Sequence, residues 1–126
     1  MDPNRFKHPA IILATIRSAV EPSLLAAGFQ FDGRNKPDKP LHLYVDYARK
    51  DQLFRLAWDR RDSNRFIGII AEIIQEPDQL ITIAEMKLSE LARVPRDQIT
   101  TEIQKRIDPF AETVKEYLRN LTIIES

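Results

Sequence analysis

The chain has 126 residues, 43% of them hydrophobic and 30% charged, with 19 basic against 19 acidic residues and no cysteine. A domain of this length buries roughly two thirds of the surface its unfolded chain exposes, so a single core needs no disulfide or metal staple. The missing thiols exclude disulfide scaffolds, thiolate zinc sites and cysteine nucleophiles, and the balanced charge argues against nucleic acid as a partner.

Near the N-terminus, AIILATI (10–16) follows Arg5 and Lys7 and looks briefly like a leader, but Arg17 ends the apolar run. The spacing predicts a helix over 9–27, with Pro9 in the first turn. Ile12, Ile16, Val20 and Leu24 form an i, i+4 row, widened by Leu13 and Ala27. Pro22 interrupts that run and predicts a kink or break near Ala19–Glu21. Gly28 is the expected stop. Phe29 and Phe31 then alternate with Gln30 and Asp32, a short strand signal, before the turn-forming run GRNKPDKP (33–40).

LHLYVDYARKDQLFRLAWDR (41–60) reads as a β-hairpin. With the turn at Arg49–Gln52, Tyr47 faces Phe54, Val45 faces Leu56 and Leu43 faces Trp58 on one side. The other side pairs Asp46 with Arg55, His42 with Asp59 and Tyr44 with Ala57. A slip of one residue would mix the two faces, so several agreeing pairs define the register. The loop lacks glycine and is expected to hold four residues rather than a tight primed turn.

FIGIIAEII (66–74) fits either period; its isoleucines and length favour a strand with Ile67, Ile69, Ala71 and Ile73 on one face. EPDQ (76–79) is the turn and LITIAEM (80–86) the returning strand. The rest reads as helix: 87–94 up to Pro95, then 96–107, then 109–121 after a sharp bend at Asp108-Pro109. Ile99, Ile103 and Ile107, then Phe110, Val114, Tyr117, Leu118 and Leu121, supply the buried side. The order predicts one α+β domain over 1–126, an N-terminal helix, an antiparallel meander of four to five strands and C-terminal helices on one sheet face.

Two clusters are candidates for chemistry. His42, Tyr44, Asp46, Arg55 and Asp59 share the polar side of the hairpin, where His42 and Asp59 could act as a base and its orienting carboxylate. The competing reading is a solvated sheet face held by charge pairs. Arg55, Arg60, Arg61 and Arg65 surround the loop DRRDSNR (59–65) and could grip a carboxylate, a phosphate or a protein partner; Asp59 and Asp62 offset half that charge. The serines lie in no nucleophile elbow, and glycines 28, 33 and 68 are too scattered to cradle a phosphate.

These features describe a cytoplasmic, non-catalytic protein-interaction or binding module of prokaryotic type, with no cofactor or metal. It is not associated with membranes, and self-association would follow if a meander edge or the Ile-rich segment were exposed. The alternative is a small enzyme or ligand-binding protein built on His42, Asp59 and the arginine loop.

Overall fold

A computed structural model describes residues 9–32, 44–60, 67–75, 79–88 and 94–125; the side chains of 9–10, 59–60, 67, 96 and 122–125 are not described. The first element is helix α1, Pro9–Ala26. A five-stranded antiparallel meander follows: β1 Gln30–Asp32, β2 Tyr44–Arg49, β3 Gln52–Arg60, β4 Ile67–Gln75 and β5 Gln79–Lys87, side by side in chain order. After a single 3-10 turn at Arg96–Gln98 comes helix α2, Ile99–Glu125. Both helices lie on one sheet face, α1 against β3 and α2 against β5, and they touch each other. The chain is therefore an α+β fold with helices on one side of the sheet. No helix among the described residues is long and apolar enough to cross a membrane.

All six residues of the α1 stripe are buried, from Ile12 to Ala27. Burying each large aliphatic side chain contributes about 1.5–3 kcal/mol, enough to hold a helix together through an internal proline. Pro22 accordingly does not break α1, which runs through it with the proline ring in solvent. The helix ends at Gly28, whose φ of 93° is left-handed. Its N–H donates to the Leu25 carbonyl (3.1 Å) and the Phe29 N–H to the Leu24 carbonyl (3.0 Å), the paired bonds of a Schellman cap. Arg49 reaches in from the sheet and donates from Nη1 to the Ala27 carbonyl at 2.8 Å. A cation from another element thus complements a helix end that has no basic residue in its last turn.

The hairpin register is the one the alternation predicts: Val45 opposite Leu56, Asp46 opposite Arg55 and Tyr47 opposite Phe54. Its turn is tighter than expected. Arg49 pairs with Gln52, leaving only Lys50 and Asp51 in the loop, and Lys50 takes the positive φ of 50° that glycine would usually supply. The long paired strands on either side outweigh the local cost of one left-handed lysine.

The Ile-rich segment is strand β4, with Ile69, Ala71 and Ile73 fully buried toward the helices. It lies inside the sheet, so it offers no edge; Ile70, on the other face, is also buried. Gly68 stands where a Cβ would come 2.0 Å from the Met86 carbonyl oxygen, so β5 approaches β4 more closely there than any side chain permits. Farther along, Thr82 pairs with Glu72 and Ala84 with Ala71, leaving Ile83 as a one-residue bulge in β5.

The C-terminal region differs most from expectation. Lys87 belongs to β5, Leu88 follows it without regular structure, and the middle of the predicted 87–94 helix lies outside the described residues. The predicted division into two segments at Asp108-Pro109 is absent: α2 is one continuous helix with Pro109 inside it. Ile103 and Ile107 before the proline, and Phe110 and Val114 after it, are all buried in the same core. That shared burial keeps both halves helical despite the lost hydrogen bond. The Thr113 hydroxyl also donates to the Pro109 carbonyl (2.9 Å).

Candidate functional site

The sheet face away from the helices carries a row of polar side chains. Successive pairings run Asp32, Asp46, Arg55, Glu72 and Thr82 across all five strands. Arg55 donates from Nε to Asp46 Oδ1 (2.8 Å) and from Nη2 to Asp46 Oδ2 (3.0 Å), a two-pronged ion pair. The Asp46 side chain is fully buried and that of Arg55 27% exposed. The guanidinium also lies over the Tyr44 ring, 4.4 Å from its centre. The hydrogen bond it donates to Asp46 holds the arginine above its ordinary pKa against the opposing effect of burial, with Tyr44 and Glu72 adding to the field. This part of the face is not a simple solvated surface: Asp32 and Asp46 are both buried.

Of the residues singled out in the sequence, the structure brings Tyr44, Asp46 and Arg55 together. Asp59 and Arg60 end β3, opposite Gly68 and Ile67, but their side chains are not described. His42, Arg61 and Arg65 lie outside the described residues. The arginine whose side chain can be followed, Arg55, already has its fork on a carboxylate within the sheet, the arrangement of a structural pair.

On the opposite face an aromatic row links Phe31, Tyr47 and Phe54 edge to face, with centroids 6.0 and 6.5 Å apart. Arg17 of α1 sits 4.8 Å over Phe31, which is 56% exposed because β1 is a three-residue edge. Its Nε donates to the Tyr47 hydroxyl at 2.7 Å, and that hydroxyl donates to Glu21. The bond from Tyr47, and then Arg17, holds the Glu21 carboxyl below its usual range; burial first, and then the Glu21 bond, pushes the Tyr47 phenol up. These groups lock α1 to the sheet.

A groove of about 610 Å³ opens between the last four residues of β5 and the middle of α2. Met86 and Phe110, both about 5% exposed or less, form its floor with Ala84 and Pro109. Lys87, Lys105, Arg106, Glu85 and Thr113 complete the lining. Arg106 donates from Nη1 to the Lys87 carbonyl and so ties helix to strand end. Lys105 meets Glu102 at 3.3 Å through an exposed pair, a weak attachment that leaves the lysine adaptable. Nothing in the primary sequence marks this groove, because its two walls are about twenty residues apart and meet only when α2 packs on β5.

Comparison with known proteins yields no matching family model, curated protein or solved structure.

Proposed function

We propose that this protein is a non-catalytic interaction module that receives a partner polypeptide along the β5 edge. The observation that carries the reading is the position of β5: nine residues long, last in the sheet, and bordered by the groove beneath α2. Among the described residues β5 pairs only with β4; apart from the Lys87 carbonyl, which Arg106 holds, its outer side carries backbone donors and acceptors for an incoming strand. Such an edge is normally restrained against indiscriminate pairing. The Ile83 bulge and exposed Lys87 are restraints of that kind, and between them Ala84–Lys87 form a short segment beside the groove.

Support for a non-catalytic role comes from Arg55 and Tyr44, whose contacts with each other and Asp46 are those of a sheet-stabilising pair. Panning a random seven-residue peptide library against the immobilised chain tests the proposal. Enriched peptides should slow amide exchange in β5. Failure to enrich any peptide, or slowed exchange only elsewhere, would contradict it.

A further inference from the structure

Resting on the edge-docking reading, we infer that Arg106 guards the β5 edge. Its guanidinium occupies the last backbone acceptor of the strand, so a side chain of α2 competes with any incoming strand for that position. The direction of two neighbouring carbonyls carries the inference. A Cβ on Gly68 would come within 2.0 Å of the Met86 carbonyl oxygen, so that oxygen points inward at β4. Backbone carbonyls alternate sides along a strand, so the next one, on Lys87, points outward along the open edge. It is this outward oxygen that accepts from Arg106 Nη1.

The guard comes from a different element, the helix packed against β5. Ile103, Ile107 and Phe110 of that helix are buried in the core, which fixes where Arg106 stands relative to the strand end. The bond itself is exposed, and an exposed hydrogen bond adds little net stability because water can replace either partner. Its effect is on access. A sheet edge with every acceptor open recruits extended chains indiscriminately, and a cationic side chain laid across it limits that. A strand that extends as far as Lys87 must displace the guanidinium to gain the carbonyl. Docking is thus restrained at the strand end by a contact that can be released.

The test uses the full chain and a seven-residue peptide enriched by panning. Arg106 takes part in a further interaction, so two replacements are compared. Arg106→Met keeps the aliphatic stem and donates nothing; Arg106→Lys keeps a cationic donor. Arg106→Met should bind the peptide about fivefold more tightly than the wild type, the equivalent of one backbone hydrogen bond no longer contested, and Arg106→Lys should stay close to the wild type. Replacing the peptide amides by esters, one at a time, should reveal in Arg106→Met one N–H on which binding depends and in the wild type does not. Arg106→Ala repeats the comparison if the methionine variant proves unstable. Enrichment of peptides on Arg106→Met but not on the wild type would also support the guard. Unchanged or weaker binding by Arg106→Met, with β5 amides still slowed by the peptide, would overturn the guard and leave the edge reading standing. Failure of both chains to enrich any peptide would overturn the two together.

Discussion

Arg55 and Asp46 stand directly opposite each other on neighbouring strands, the guanidinium two-pronged on a carboxylate that is fully buried. Their environments differ: the arginine keeps 27% of its side chain in solvent and the aspartate none. Losing Arg55 therefore removes the balancing charge from a group that water cannot reach, whereas losing Asp46 leaves a guanidinium that can rehydrate. Arg55→Met should cost about 3 kcal/mol and Asp46→Asn about 1–2 kcal/mol in urea unfolding. Equal costs, or the reverse order, would contradict this account of the pair.

Tyr47 connects α1 to the sheet through Arg17 and Glu21. Tyr47→Phe removes the hydroxyl and should lower stability at neutral pH by about 1 kcal/mol. The sign of the pH dependence follows from Glu21, whose carboxyl is held below its ordinary value of 4.5, first by Tyr47 and then by Arg17. Stability from that group is complete above pH 4.5 and is lost as pH falls through the lower folded value. The wild type and Tyr47→Phe should therefore converge in denaturation midpoint as the pH is lowered below 4. A gap that stays constant to pH 3 would show that Glu21 has no part in the link.

Much of the central hairpin is legible in the sequence because one register alone sorts apolar from charged side chains, and the structure adopts it from Tyr44–Ala57 to Ala48–Leu53. The α1 stripe is legible for the same reason. What local pattern misreports is set by tertiary contact. Pro109 reads as a break, yet Ile107 and Phe110 are buried on either side of it in one core. Phe31 lies on the helix-facing side opposite Tyr47, yet it is 56% exposed because the sheet ends at β1, while its neighbour Asp32 is buried. Lys50 reads as part of a wide loop because left-handed lysine is uncommon. The groove is invisible for want of any motif: Met86 and Phe110 come to line one groove only through packing.

Pro22 and Pro109 offer a matched comparison. Pro22 is exposed in α1 and lies away from the groove, so Pro22→Ala restores a backbone hydrogen bond without disturbing either the core or the docking surface. The proline ring also stiffens the unfolded chain, which offsets part of the gain. A net stabilisation of about 1–2 kcal/mol is expected in thermal and urea unfolding. Destabilisation would mean that α1 needs the proline's geometry.

Gly68→Ala places a methyl group against the Met86 carbonyl oxygen and must push β4 and β5 apart. The expected cost is about 1–3 kcal/mol. Because Met86 also lines the groove, binding of a peptide enriched from the seven-residue library should weaken in the same variant. Full affinity in a destabilised Gly68→Ala would separate the docking surface from this end of the sheet.

Amide hydrogen exchange, residue by residue, with and without a saturating peptide enriched from the seven-residue library, bears most directly on the claim that β5 is the docking edge. The account predicts slowed exchange within Ala84–Lys87 and no change in the other edge strand, Gln30–Asp32. Slowing confined to Gln30–Asp32, or bound peptide with β5 exchange unaltered, would contradict it.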